Sequence, residues 1–190
     1  LEVILSNGFD KDSLKILKRK KNLRIIDISK FKYKDQMSVK PFDGSFLVQN
    51  KNNKIVKKGD LKCVTKLKPS KKELSEIEFA FNISKYVKSN AIVLCNNFST
   101  IGIGGGQPSR VDSCRIAIQK ARKFQPKKIS KAIAASDAFF PFTDGLELLV
   151  KAGVKIVIQP GGSIKDKEII NYANKAKIKM LFTGIRHFYH

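Results

Sequence analysis

Apolar residues in the last hundred positions of this chain recur with two spacings. Short continuous apolar runs predict strands that are covered on both faces, while longer stretches with apolar residues every three or four positions predict helices. The predicted strands lie at 91–95, 100–104, 131–136, 154–159 and 179–183. The predicted helices lie at 111–123, 144–152 and 166–176.

This alternation of strands and helices predicts the fold class. Strands that alternate with helices normally pair in parallel through right-handed crossovers, with helices on both sheet faces. Residues 96–99 form a hairpin-like connection between two of the strands, so at least one pair is antiparallel. We therefore expect an α/β protein with three layers (αβα) and a mixed, mostly parallel sheet.

The first part of the chain has a weaker pattern of the same kind. Ser70 and Glu73 have the spacing of a capping box and predict a helix that begins there and ends near Lys88. A soft domain boundary is expected near residues 65–70. Upstream of it, the predicted strands lie at 2–6, 23–28 and 45–49, the helix at 12–19, and a polar connection at 50–58.

The formal net charge is +22, from 38 basic and 16 acidic residues among 190. Such a charge can indicate nucleic-acid binding. The lysines, however, are spread through every polar segment, and the sequence contains no recognisable RNA- or DNA-binding module. We favour a lysine-rich composition that suits small anionic ligands, with nucleic-acid binding as the alternative.

Other bulk features indicate a cytoplasmic protein without a membrane partner. No apolar run approaches the roughly 18 residues of a membrane span, and no leader-like segment is evident. Cys63, Cys95 and Cys114 have no disulfide or metal spacing, and the last two are expected to be buried. Because the chain opens with Leu1 directly before a strand-like stretch, we expect it to be a fragment of a longer protein.

A glycine-rich loop at 102–110 is the first candidate site, since ligands of such sheets bind where strands lead into helices. Its amides could hold an anion, or its glycines could simply form a tight turn. It lacks the dinucleotide and P-loop patterns. Arg110 favours a functional role, because a cation at a helix start opposes the helix dipole and requires a compensating partner.

Two further loops have unusual compositions. The loop at 135–145 contains three phenylalanines, which could be core residues or a wall for a flat ring, with Thr143 or Asp144 as helix cap. The loop at 159–163 is expected beside the last residues, which could fray or could dock through Phe188 and Tyr189. His187 and His190 lack a third metal ligand, so no zinc site is predicted.

Five ordered segments resemble the bifunctional purine biosynthesis protein, a family that joins an IMP cyclohydrolase domain to a formyltransferase for aminoimidazole carboxamide ribotide. The segments lie at 88–93, 100–113, 135–144, 157–164 and 186–190. The resemblance implies a cytidine-deaminase-like fold, used twice in the formyltransferase half and without zinc. Residues 1–65 would end the first subdomain and residues 66–190 would form the second, in a homodimer whose sites span the dimer interface.

The resemblance also implies roles for particular residues. Asn90 would hydrogen-bond the oxygen of the transferring formyl group, and His190 would contact the carboxamide, which makes both catalytic. The cosubstrate would be 10-formyltetrahydrofolate, a potassium ion could accompany it, and no other metal is implied. The remaining contacts would be Arg110, Phe139 and Arg186 with the ribotide, and Val111 and Asp144 with the folate.

Two departures from the family pattern matter. Pro108 stands where the family usually has Met or Gln, which concerns the flexibility of the loop and not Arg110. The family's catalytic Lys-His pair is absent, because the histidines of this chain are His187 and His190. The cyclohydrolase domain is absent as well. We therefore expect an enzyme fragment that is inactive alone, with a non-catalytic module for ribotide or folate as the alternative.

Overall fold

Residues 1–32 and 37–189 are described by a computed structural model of the chain. Contacts between residues divide it into two units, Leu1–Lys51 and Asn52–His190. The second unit therefore begins earlier than the boundary expected near residues 65–70, because Val56 is completely buried and is held by Asn82 through both its backbone N–H and its carbonyl. The assignment of two consecutive deaminase-like subdomains stays a prediction.

The first unit contains one parallel and one antiparallel pair of strands. Strands β1 (Val3–Ser6) and β2 (Arg24–Asp27) are parallel and are connected through helix α1 (Lys11–Leu17). Strands β3 (Met37–Phe42) and β4 (Ser45–Asn50) form a hairpin. Strand β3 was not predicted, because its polar residues and proline hide the alternation of a strand.

The turn of this hairpin contains a signal that could have revealed β3. Asp43 and Gly44, with φ of 40° and 73°, connect the strands as a two-residue turn. Asp-Gly is a preferred pair for such turns, because both central residues need a positive φ. The dipeptide therefore predicts a second strand before it.

The second unit is built around a six-stranded sheet with the order β5-β10-β9-β8-β6-β7. Its strands are β5 (Lys62–Cys63), β6 (Ile92–Asn96), β7 (Ser99–Gly104), β8 (Ile133–Ser136), β9 (Ile156–Gln159) and β10 (Lys179–Phe182). Its helices are α2 (Lys71–Ser84), α3 (Arg110–Phe124), α4 (Asp144–Lys151) and α5 (Asp166–Lys175).

The pairing in this sheet is mixed, as predicted. Strands β8, β9 and β10 are parallel to one another. Strand β6 is antiparallel to both of its neighbours, β7 and β8, and the short strand β5 is antiparallel to β10. Parallel pairing is therefore confined to three adjacent strands, which are the ones connected by α4 and α5.

The core confirms the predicted three layers. Alternate residues of the strands point to opposite sheet faces. On β6, Ile92 and Leu94 belong to the apolar cluster under α3, α4 and α5, whereas Val93 and Cys95 belong to the cluster under α2. Helices therefore cover both faces. No helix in the described part of the chain is long and apolar enough to cross a membrane.

Helix α2 begins where the sequence predicts. The Ser70 hydroxyl accepts from the Glu73 amide at 3.3 Å, and the Glu73 carboxylate accepts from the Ser70 amide at 2.6 Å. The helix ends at Ser84, earlier than the predicted end near Lys88. The amides that follow it bond to carbonyls three residues back, at Ile83 and Ser84, which tightens the backbone and closes the helix.

Candidate functional site

A cleft of about 420 Å³ opens at the edge of the sheet where β7 and β8 end and β6 begins. It contains four of the residues that the sequence assigned to a site, namely Asn90, Arg110, Val111 and Asp144. Its other walls are formed by Pro108, Ser109, Phe140, Pro141, Phe142 and Gly145. This is the edge at which sheets of this kind bind ligands.

Arg110 makes three side-chain hydrogen bonds at the cleft. Its side chain is 9% exposed, and one Nη atom donates to Asp137 Oδ1 and to Asn90 Oδ1, both at 2.9 Å. The other Nη atom donates to the Phe139 carbonyl at 3.0 Å. The ion pair with Asp137 accounts for a cation at the start of α3. The Nε–H group of Arg110 is buried without a partner among the described residues.

Asn90 is held in one orientation by Arg110. Because a guanidinium only donates hydrogen bonds, Asn90 must direct its oxygen toward Arg110 and its Nδ2 group away from it. Nδ2 donates to the carbonyls of Gln107 at 2.9 Å and Pro108 at 3.1 Å. Both of its hydrogens are therefore used by the glycine-rich loop.

The glycines of this loop serve packing at two positions. A Cβ atom on Gly102 would lie 2.2 Å from the Ala117 carbonyl oxygen, and one on Gly104 would lie 2.0 Å from the Ser113 carbonyl oxygen. No larger residue fits there, because α3 lies directly against β7. Both glycines lie in strand β7, so the close approach of α3 requires them, and the anion-binding interpretation of the loop stays a prediction.

The three phenylalanines of the 135–145 loop have separate surroundings. Phe140 is a core residue, and its amide donates to Gln159 Oε1 at 2.7 Å. The Phe139 ring lies under the Arg186 guanidinium, 5.0 Å from its centroid, and the exposed Phe142 ring lies under Lys165 at 4.8 Å. The core interpretation therefore holds for Phe140, while a wall for a flat ring stays a prediction for the other two phenylalanines.

The helix cap after these phenylalanines is Thr143, one of the two predicted candidates. Its hydroxyl bonds to Glu147 Oε1 at 2.8 Å and makes no capping hydrogen bond to a backbone amide. Asp144 is the first residue of α4, and its Oδ1 accepts from the Gly145 amide at 2.7 Å. The carboxylate of Asp144 is thereby fixed at the cleft wall, beside Val111.

The last residues dock on the rest of the second unit, and hydrogen bonds of their backbone take part in this docking. Phe188 and Tyr189 are 42% and 49% exposed, whereas His187 is completely buried. Docking of this segment is confirmed, and a contribution of the half-exposed Phe188 and Tyr189 side chains stays a prediction. Two backbone hydrogen bonds hold the segment: the His187 amide donates to the Asp137 carbonyl at 2.9 Å, and the Ser89 amide donates to the Tyr189 carbonyl at 2.8 Å. His190 lies outside the described residues.

His187 and Asp137 are two buried polar residues for which no role was predicted from the sequence. The His187 ring lies 4.8 Å from the Phe81 ring, and its Nδ1 lies 3.0 Å from Asn52 Nδ2. Burial, with a smaller contribution from the Lys85 charge, lowers the pKa of His187 to about 4, so the ring is neutral at pH 7. The available signal for Asp137 was its position, directly after a buried strand in a loop already selected as a candidate.

The cysteines do not supply a nucleophile to the cleft. Burial raises the pKa of both Cys95 and Cys114 to about 12, so neither forms a thiolate near neutral pH. The prediction that both are buried apolar residues is confirmed. Within residues 1–32 and 37–189, no cluster of three or more His, Cys, Asp or Glu side chains could hold a metal ion.

Comparison with known proteins identifies the family. Residues 1–120 match the model of the AICARFT/IMPCHase bienzyme. The whole chain is 43% identical to the bifunctional purine biosynthesis protein PurH of Aquifex aeolicus and 44% identical to that of Acetivibrio thermocellus. It spans 37% of the length of each. The chain therefore belongs to the AICARFT/IMPCHase bienzyme family, whose members are enzymes of purine biosynthesis.

Solved structures of other proteins show weaker similarity. A diaminohydroxyphosphoribosylaminopyrimidine deaminase/5-amino-6-(5-phosphoribosylamino)uracil reductase of Thermotoga maritima is 20% identical, with 60% of this chain and 34% of that chain covered and a TM-score of 0.35. RibD of Acinetobacter baumannii is also 20% identical, with 57% and 33% covered and a TM-score of 0.37. These similarities concern the backbone alone.

Proposed function

We propose that the cleft is part of a folate-dependent formyltransferase site, which passes the formyl group of 10-formyltetrahydrofolate to the amine of aminoimidazole carboxamide ribotide. One observation carries the proposal. Asn90, Arg110, Val111 and Asp144 come from three separate segments and line the same cleft. The same residues are the ones that the family resemblance assigns to ribotide and folate.

The charges and rings around the cleft suit an anionic ribotide with a flat base. Arg110 and Arg186 each carry a positive charge, and both contact Phe139, one through its carbonyl and the other through its ring. The buried Nε–H of Arg110 still requires an acceptor, and a ligand oxygen would satisfy it. On the other wall, Val111 and Asp144 remain for the folate.

The reaction requires three contributions. The amine nitrogen attacks the formyl carbon, an oxyanion forms on the formyl oxygen, and the bond from that carbon to the folate nitrogen then breaks. The amine loses a proton and the folate nitrogen gains one. Because this amine is conjugated with the ring and its carboxamide, it needs positioning, proton removal and stabilisation of the oxyanion.

Asn90 is proposed to stabilise the oxyanion. Its two Nδ2 hydrogens are donated to Gln107 and Pro108. A ligand can therefore receive one of them only if the loop carbonyl that holds it is released. Pro108, which replaces the usual Met or Gln of the family, lies in that loop. Proton removal is assigned to the family's Lys-His pair, and the site is proposed to be completed across a homodimer interface.

A binding module without catalysis is the second candidate. The observation that favours it is the state of His187, the histidine among the described residues, which is buried and does not line the cleft. Such a module would bind the ribotide and the folate without transfer. Ligand binding alone does not separate the two candidates, so turnover must be measured as well.

Calorimetric titration of the chain with ribotide tests the site that both candidates share. Arg110→Ala is expected to weaken ribotide binding by at least about tenfold, since it removes a charge-assisted hydrogen bond. Arg115→Ala is the matched control, because it removes the same charge from the exposed face of α3. Ribotide binding that is equal in both variants would overturn the assignment of Arg110.

A further inference from the structure

Asp137 connects the separate parts of the candidate site. Its side chain is completely buried, and its two carboxylate oxygens have different partners. Oδ1 accepts from Arg110 at 2.9 Å, and Oδ2 accepts from the Ser89 hydroxyl at 2.5 Å. Ser89 is the residue directly before Asn90, so one carboxylate holds both segments that carry the proposed ribotide and formyl contacts.

The side chain of Asp137 acts on the cleft without lining it. Asp137 is not among the lining residues, whereas Asn90 and Arg110 are. Arg110 uses the same Nη atom for Asp137 and for Asn90, so the ion pair also fixes the hydrogen bond that orients the Asn90 amide. Among the described residues, Asp137 provides the one carboxylate paired with Arg110. Loss of its charge would therefore affect the orientation of both Arg110 and Asn90.

The backbone of Asp137 holds a different part of the site. Its carbonyl accepts from the His187 amide at 2.9 Å, which fixes the segment that follows Arg186. Ser89 adds to this, because its hydroxyl accepts from the Tyr189 amide at 3.1 Å. Arg110 thus depends on the carboxylate of Asp137, whereas the neighbourhood of Arg186 depends on its carbonyl.

We propose that Asp137 is a positioning residue that presents Arg110 to the ribotide and Asn90 to the formyl group, through an ion pair behind the cleft. The proposal rests on the proposed function for the identity of the ligand. It predicts that the charge of Asp137 affects ground-state binding of the ribotide and not of the folate. Val111 and Asp144 make no hydrogen bond or ion pair with this carboxylate among the described residues, and Asn90 keeps its Nδ2 hydrogens on the loop until the transition state. A residue that only stabilised the fold would affect both ligands equally.

The test compares Asp137→Asn with Asp112→Asn in the complete chain. Asp112 is the matched control, because it forms an exposed ion pair with Arg115 on the same helix. Affinities for ribotide and for 10-formyltetrahydrofolate are measured by calorimetry at low temperature, after circular dichroism has shown that each variant is folded. We expect Asp137→Asn to weaken ribotide binding at least about tenfold, with folate binding changed less than about twofold. Asp112→Asn should change neither.

Two results would overturn the proposal: unchanged ribotide binding by Asp137→Asn, or an equal loss of both ligands. If that variant does not fold, Ser89→Ala replaces it, since it removes the hydrogen bond to Oδ2 and retains the charge. It should weaken ribotide binding by about threefold and leave folate binding unchanged. Unchanged ribotide binding by Ser89→Ala, or a loss of both ligands, would then reject the proposal.

A separate measurement keeps this result distinct from the proposed function. If the unmodified chain binds neither ligand, the proposed function fails. The role of Asp137 is then tested by the order of the Arg110 side chain, which does not require a ligand. The NMR signal of its Nε–H group should be ordered in the unmodified chain and mobile in Asp137→Asn, or in Ser89→Ala if that variant replaces it. An ordered signal in both proteins would reject the positioning role.

Discussion

Asn90 illustrates how one side chain can be committed to the protein before a ligand arrives. Its oxygen accepts from Arg110, and both hydrogens of Nδ2 are donated to the loop at Gln107 and Pro108. A catalytic role therefore requires an exchange of partners, from a loop carbonyl to the formyl oxygen. If the exchange occurs in the transition state, its loss should appear in turnover and not in ground-state binding.

Replacement of Asn90 by Ala tests this directly in a full-length relative, at the equivalent position. Loss of one oxyanion donor should lower kcat by about 10²–10³-fold. Ribotide affinity should change far less, because Arg110 keeps its ion pair with Asp137. Steady-state kinetics together with calorimetry provide both values. A variant that loses affinity and retains kcat would show that Asn90 is a structural cap for β6.

His187 makes a pH-dependent contribution to stability. Its pKa is lowered to about 4 in the folded chain, against an ordinary value of 6.5. The unfolded chain therefore binds more protons between these values, and the free energy of unfolding should fall as the pH falls from 6.5 to 4. The slope from this group is at most about 1.4 kcal/mol per pH unit.

The matched variant for this effect is His187→Gln, which cannot titrate in that range. Urea unfolding at several pH values between 4 and 7 gives the free energies. The difference between the unmodified chain and the variant should shrink as the pH falls, because only the unmodified chain loses the contribution of a neutral histidine. A difference that does not vary with pH would contradict the lowered pKa.

The sequence predicted some of these residues and missed others for a physical reason. Arg110 could be recognised locally, because a cation at the start of a helix is unfavourable without a partner. That partner, Asp137, is 27 residues away. Nothing in the spacing of the two residues indicates that β7 and β8 end at the same edge of the sheet. His187 was missed because a chain end gives no local signal of burial.

At the scale of the element, the contact between β7 and α3 is the tightest in the site. Gly104 lies directly against the Ser113 backbone, and Ser113 Oγ in turn donates to the Asn90 carbonyl at 2.7 Å. Helix α3, which carries Arg110 and Val111, is therefore positioned by its close approach to β7 at Gly104. Displacement of α3 would change the position of both residues relative to Asp144.

Gly104→Ala should destabilise the chain for this reason. The new Cβ would lie 2.0 Å from a backbone oxygen, so α3 must move. We expect a loss of about 1–3 kcal/mol, as for other overpacked sites. Gly59→Ala is the control, since nothing lies within 4 Å of a Cβ there and the residue belongs to a short 3-10 helix. Urea unfolding that shows equal free energies for both variants would contradict the close packing.

The sequence predicted the elements of the second unit more completely than those of the first. Apolar runs and helical spacing located its helices and all but one of its strands, because burial on the sheet imposes a clear pattern. The missed strands, β3 and β5, lack that constraint. In β3 no residue is buried, and β5 has two residues at a sheet edge. Where neither face of a strand is buried, its apolar residues show no periodicity from which the strand could be predicted.

At the scale of the whole molecule, the two units differ in their cores. Among its described residues, Leu1–Lys51 contains no buried side chain, whereas the second unit has apolar clusters on both faces of its sheet. A unit without a core is not expected to be stable by itself. The net charge of +22 is also a property of the whole molecule. It suits an anionic ribotide, but it does not distinguish one anion from another.

The last prediction concerns the chain as a catalyst: purified alone, it should bind ribotide but not transfer formyl groups to it. A general base typically contributes about 10²–10⁴-fold, and the family's Lys-His pair is not in this sequence. His187 cannot replace it, because it is buried and does not line the cleft. The terminal His190 is assigned to the carboxamide and not to the amine proton.

The assay mixes the chain with ribotide and 10-formyltetrahydrofolate and follows the release of tetrahydrofolate. A full-length relative is the positive control, and calorimetry on the same preparation shows whether the chain binds ribotide. We expect turnover below about 1% of that of the relative, since base catalysis and part of the positioning are both missing. Turnover near that of the relative would show that the residues of this chain complete the reaction, and the assignment of proton removal to the Lys-His pair would then be wrong.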